Sequence, residues 1–407
     1  MTPLLSPAAR ALGWAIPLFL VLLSPALGSI GSIVASVAAL LLIPIALDAE
    51  ARRAIAKQPA VVSFGIVFLA LAVSFAITAR APHDLAYAFN FLSLPLAAVV
   101  YAVARRVPDG RAAVRTMAIL CLAGTLVCLA IAANDILLRQ LPRLEARFMG
   151  PNTLARLALV FSFIALAGLF VTRSRWRFLY YLAPLAGLAA IYLSGTRAAL
   201  LALPLQAVIL LVALHADRRD RAQAWVLAGL VAAALVALIA GSDRFASAIE
   251  VFRNLAAGAP AADAAVNERL AMLAVAQQLF AASPIVGHGW GHFAALAYPL
   301  IGGVVWGGPD DPLFQFHNDL ANFAVAAGVI GIACLVVLLA APLAGALASG
   351  RDSLFRVRLY CCLELSAATA ASGLTDFTLG YDLPTTLYVF LTAIVLGAFR
   401  APQTPDG

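Results

Sequence analysis

His317, Asn318 and Asp319 follow one another where a long connecting stretch, residues 242–318, gives way to an apolar run. A histidine can take up or release a proton near neutral pH. One placed at the edge of an apolar run can act as general base on a hydroxyl nucleophile. Asn318 or Asp319 is the expected support for its tautomer, although adjacent residues on a helix do not face one another. A second set is made of arginines. Arg139, Arg143 and Arg147 are spaced by four, Arg156 lies just inside an apolar run, and Arg197 closes Ser194-Gly195-Thr196-Arg197. Arg269 lies within the long connection itself. A guanidinium grips phosphate through two parallel N–H donors, and charges at the rim of a membrane usually face a cavity or a substrate. These arginines therefore suit an anionic ligand such as a lipid diphosphate. Pairing with Glu145, Asp135 or lipid headgroups is the plainer alternative for Arg139 to Arg147.

Two further histidines, His288 and His292, end the glycine-rich run Pro284-Ile285-Val286-Gly287-His288-Gly289-Trp290-Gly291-His292-Phe293. On a helix, i and i+4 histidines could share a metal, but the glycines between them argue for a loop. Only Asp310 and Asp311 stand near enough in sequence to offer a further ligand. No metal and no cofactor is expected.

The elements that must position these residues are membrane helices. The chain of 407 residues is 63% hydrophobic and only 12% charged, with a mean hydropathy of +0.97. A soluble surface needs roughly a quarter of residues charged. Unbroken runs such as residues 224–240 show no alternation, so helices of about 20 residues are expected rather than barrel strands. Spans are expected near 11–27, 30–47, 60–79, 85–104, 112–134, 153–172, 178–194, 197–214, 224–241, 319–340, 355–372 and 383–398, twelve in all. The first is retained rather than cleaved, because a second apolar run follows it directly. The five cysteines lie inside apolar runs and read as small buried residues.

Basic residues accumulate after every even-numbered span: Arg52, Arg53 and Lys57, then Arg105, Arg106, Arg111 and Arg115, and so on to Arg351, Arg356 and Arg358. Positive charge marks the cytoplasmic side, which puts both termini there. Arg80, Arg139, Arg143, Arg147, Arg156, Arg197, Arg244, Arg253 and Arg269 are left on the outer face as exceptions to that rule. The expected organisation is nine spans over 1–241, a large outer loop over 242–318 with an amphipathic helix near 263–282, three spans over 319–400, and a disordered tail over 401–407. Nothing in the pattern points to nucleic acid.

Three blocks carry a resemblance. They are Ser194-Gly195-Thr196-Arg197 before a leucine-rich span; Asn267-Glu268-Arg269 leading through Leu279-Phe280 to the glycine run; and His317-Asn318 followed by Gly328-Val329-Ile330-Gly331. Over roughly residues 150–340 the chain resembles the O-antigen ligase and polymerase superfamily of bacterial envelope glycosyltransferases. The resemblance implies an all-α, polytopic, GT-C-like inner-membrane protein with its active site on the periplasmic face. It also implies a metal-independent, inverting transfer of O-antigen from undecaprenyl diphosphate to a sugar hydroxyl of lipid A–core, among membrane lipids. His317 would be the base, with Arg197, Arg269, Arg143, Arg147 and Arg156 on the diphosphate and Asn318 and Asp319 in support. Relatives often carry an acidic residue two before the first glycine of the third block, where this chain has Ala326. Asp319 is then the candidate to replace it. An O-antigen polymerase or protein O-glycosyltransferase of the same superfamily is the alternative. A lipid-linked glycan transporter would more often show cavity charges in mid-span, or inverted repeats with broken helices, and the sequence shows none of these.

Overall fold

The computed structural model describes residues 6–141, 144, 149–215, 221–240, 253–254, 257–258, 264–291, 293–301 and 315–401. Arg143, Arg147, Arg244, His292, Asp310 and Asp311 lie outside them. The described chain is helical and contains no strand. In order it forms α1 (Pro7–Leu27), α2 (Ser29–Leu41), α3 (Pro59–Thr78), α4 (Pro82–Ala104), α5 (Gly110–Leu138), α6 (Pro151–Val171) and α7 (Arg175–Ser194). There follow α8 (Ala198–His215), α9 (Arg221–Ala240), α10 (Ala264–Ala282), α11 (Phe293–Ile301), α12 (Asp319–Ala348), α13 (Phe355–Gly373) and α14 (Asp382–Ala398).

The expected spans coincide with α1 to α9 and α12 to α14. Among the described helices, eight are long and apolar enough to cross a membrane: α1, α3 to α8, and α12. α2 and α14 are shorter apolar helices, and α13 carries Arg356, Arg358 and Glu364. The outward faces suit lipid. Leu69, Val73 and Ile77 on α3 are each more than half exposed, and such a face in water would be an aggregation site. α6 runs through the centre and is almost wholly buried from Leu154 to Leu169. It packs on α5, α7 and α13, while α12 packs on α3 and α13, and α4 on α14.

α12 is broken near its start, at Ala327 and Gly328, where the backbone leaves helical geometry. A break inside an apolar bundle frees backbone polar groups that must find partners. The glycine run supplies them. The amides of His288 and Gly289 donate to the carbonyls of Val325 (2.8 Å) and Ala326 (2.9 Å), and the amide of Val329 donates to Pro284 O (2.8 Å). Two glycines permit this clasp: Gly287 (φ +69°) lies against the Ala326–Ala327 peptide, and Gly328 (φ +59°) lies against Pro284 and Ile285. Thus the second and third blocks of the sequence pattern are two halves of one backbone contact. α10 lies beside α12, and its buried face is Met272, Val275, Ala276 and Leu279 at helical spacing. The clasp predicts that Gly328→Ala, whose Cβ would stand 2.4 Å from Ile285 O in a left-handed backbone, lowers stability by about 1–3 kcal/mol. Thermal unfolding in detergent measures this; an unchanged midpoint would refute it.

Candidate functional site

The site is built on the entry to α12. Asn318 caps that helix: its Oδ1 accepts from Ala321 N at 2.9 Å, and its Nδ2 donates to Leu374 O at 2.9 Å. On the other side Phe316 N donates to Asn322 Oδ1 at 3.0 Å. Between these two ties His317 is held at φ +49°, a left-handed conformation uncommon for a residue with a side chain and recurrent at functional positions. Asp319, buried at 3% exposure, accepts from Thr378 N (2.7 Å) and Leu379 N (3.2 Å to one oxygen, 3.3 Å to the other). Gly373 leaves the room that this carboxylate occupies. Asn318 and Asp319 therefore do not touch the imidazole ring; they fasten the loop between α13 and α14.

That loop carries Asp376. Its Oδ1 lies 3.1 Å from His317 Nδ1, and its Oδ2 accepts from Arg156 at 3.1 Å. Arg156 also donates to Phe377 O at 3.2 Å. The ring's partner is thus Asp376, not the expected Asp319. A residue adjacent to His317 points elsewhere once the helix starts, whereas the loop 59 residues on comes back across it. Arg156 likewise spends its guanidinium on Asp376 and the loop backbone. Side-chain exposure grades outward from 7% at Arg156 and 11% at Asp376 to 33% at His317. Burial pushes the Asp376 carboxyl up, but the hydrogen bond with His317 and the nearby Arg156 charge outweigh it and hold it below the usual carboxylate range. With Nδ1–H donated to a carboxylate, Nε2 keeps its lone pair.

His317 and Asp376 open onto a cavity of about 700 Å³, whose other walls include Tyr87, Asn90, Asn152, Trp290 and Gln315. Trp290 anchors it, packed among Phe75, Phe91, Phe323 and Phe377. Neither Arg197 nor Arg269 lines this cavity. Arg197 follows a turn made by Gly195 in a left-handed cap (φ +67°), with Thr196 Oγ1 donating to Asn152 Oδ1 at 3.4 Å. Thr196 and Ala198 border a small recess together with Arg156 and Asp376, so Arg197 starts from the edge of the site. Arg269 lies half-buried on α10. Arg139 pairs with Asp135 at 3.1 Å, the plainer of its two readings. His288 is turned inward, its Nε2 2.7 Å from Leu279 O. Among the described residues no three His, Cys, Asp or Glu side chains converge as a metal site would need.

Residues 182–336 match the family model described as O-antigen ligase. That stretch resembles an O-antigen ligase domain. The family resemblance read from the three blocks is borne out, and it supports a membrane enzyme of glycosyl transfer in the O-antigen ligase and polymerase superfamily. O-antigen, lipid A–core and membrane lipids are the partners such a family implies. Among curated proteins, none matches the chain. The matched stretch of the ligase domain contains His317 and Arg197 but neither Arg156 nor Asp376. Asp376 was missed in the sequence because a lone carboxylate in the short connection after the eleventh expected span carries no motif. The signal that could have found it is its side: that connection falls on the same face as the loop carrying His317.

A depressed carboxyl contributes stability that is present above its unfolded pKa of about 3.9 and lost as pH falls through the lower folded value. The stability difference between wild type and Asp376→Asn should therefore shrink as pH falls below about pH 4. Denaturant midpoints across that range measure it, and a difference that grows on acidification contradicts the pairing.

Proposed function

We propose that the protein transfers O-antigen from undecaprenyl diphosphate to a sugar hydroxyl of lipid A–core. The single observation that carries this reading is the imidazole of His317, backed by the Asp376–Arg156 pair and facing a cavity inside a chain with an O-antigen ligase domain. In this reading the bundle crosses the bacterial inner membrane twelve times with both termini cytoplasmic. Residues 242–318 then form a periplasmic loop.

The acceptor sugar enters the cavity, whose volume falls within the roughly 300–1,000 Å³ of small-ligand sites and whose aromatic and amide walls suit a polar ring. Nε2 of His317 takes the hydroxyl proton. The oxygen attacks the anomeric carbon, the bond from that carbon to the phosphate oxygen breaks, and undecaprenyl diphosphate leaves with the electron pair. Attack on the face opposite the leaving group inverts the anomeric centre. Asp376 holds the ring and stabilises the imidazolium formed, as a buried carboxylate does in hydrolase triads. Arg197 and Arg269, with Arg143 and Arg147, would neutralise the departing diphosphate by preorganised charge. Arg156 belongs instead to the base, through Asp376.

Reconstitution with lipid-linked donor and lipid A–core tests this. His317→Ala and Arg197→Ala should stay folded and lose transfer, by about 10²–10⁴-fold for the base; normal capping of lipid A–core in both variants sinks the mechanism. Product identity separates the ligase from a polymerase, which would extend a second lipid-linked glycan instead. Chelation should leave the purified enzyme's rate unchanged, and loss with EDTA followed by rescue with a divalent metal would overturn the assignment of diphosphate charge to arginines.

A further inference from the structure

A second cavity lies at the other end of the bundle. α14 begins at Asp382, which lines the His317 cavity, and ends at Ala398, which lines this one. At about 1.5 Å per residue the two are roughly 24 Å apart. The cavity measures about 420 Å³ and runs between α1, α4, α5 and α14. Its walls are apolar: Trp14, Val103, Met117 and Ile394 are typical. Trp14 is 45% exposed, so the groove reaches the outer surface of the bundle.

Two cations stand at its polar end, Arg10 and Arg106. Arg106 pairs with Asp48 at 3.2 Å. Arg10 is exposed and forms no ion pair with a described residue. An apolar groove that opens on the lipid face of a membrane protein is not left to water, which wets such walls unfavourably. Nor is it left void, because the walls would forfeit their dispersion contacts. A hydrocarbon chain satisfies both conditions. The cations at one end add a headgroup requirement, since arginine binds phosphate oxygens by charge-assisted hydrogen bonds, and helix ends are where headgroups lie.

We propose that this groove holds one acyl chain of an anionic phospholipid whose phosphate is bound by Arg10, with Arg106 adding positive field. The site is separate from the His317 cavity and does not depend on the reaction assigned there. It makes the lipid a bound component of the wedge between α1 and α14.

The test is native mass spectrometry of the full-length detergent-purified protein with phosphatidylglycerol, phosphatidylcholine of the same acyl chains, and inorganic phosphate. Phosphatidylglycerol should bind about tenfold more tightly than phosphatidylcholine, the factor that one charge-assisted contact carries. Arg10→Gln should remove that preference, weakening phosphatidylglycerol more than phosphatidylcholine, whose phosphate is partly neutralised by its own choline. Arg351→Gln, an exposed arginine at the same end of the bundle but outside the groove, should leave the preference intact. Ala113→Phe, which fills the groove, should weaken both lipids, with the thermal unfolding midpoint checking that each variant folds. Equal binding of the two lipids to wild type overturns the proposal, as does a preference that survives Arg10→Gln. Inorganic phosphate that binds as tightly as phosphatidylglycerol also overturns it, because the acyl chain would then contribute nothing.

Discussion

A carboxylate buried among apolar helices is costly unless its charge is matched and its oxygens are filled. Asp376 meets both conditions by facing two ways, one oxygen toward Arg156 and the other toward His317. This one interaction joins three parts of the chain that are distant in sequence: the start of α6, the entry to α12, and the loop before α14. Removing Arg156 would leave the carboxylate without its cation, and removing Asp376 would leave a buried guanidinium. The imidazole therefore sits at the exposed end of a charge relationship whose inner members cannot move independently.

The second constraint is the break in α12. A continuous helix there would have no free backbone groups and no reason to hold the glycine run. The kink at Ala327 and Gly328 releases carbonyls that the amides of His288 and Gly289 satisfy, and so a loop outside the expected spans becomes fixed to one inside them. Trp290, two residues beyond the clasp contact at His288, is thereby delivered into the wall of the cavity, where it meets Phe91, Phe323 and Phe377. The position where relatives often carry an acid, Ala326, is used here for its backbone: its carbonyl accepts from Gly289 and its side chain is fully buried.

Much of this architecture was legible from residue order. Apolar runs located the eight helices that are long and apolar enough to cross a membrane among the described residues, because hydrogen-bond satisfaction in lipid leaves a continuous helix as the ready solution. The three blocks carry the resemblance to the O-antigen ligase family that the match over residues 182–336 supports. The break in α12 is less visible, although Gly328 and Gly331 belong to the third block: a glycine in an apolar run does not by itself say whether the helix bends. The partner of His317 was not legible at all. Asp319 is adjacent to it and Asp376 is far away, and sequence distance favours the wrong one.

Residue types and their spacing thus determined the membrane class, the helical segments, the histidine at the entry to α12, and the arginines that could meet a diphosphate. Tertiary structure alone decided which carboxylate meets the imidazole, that Arg156 is committed to that carboxylate, and that Asn318 and Asp319 hold backbone instead of the ring. The reason is physical. Membrane partitioning depends on local composition along the chain, which a sequence displays directly. Charge pairing depends on which loops the helix packing returns to the same place, and nothing local encodes that.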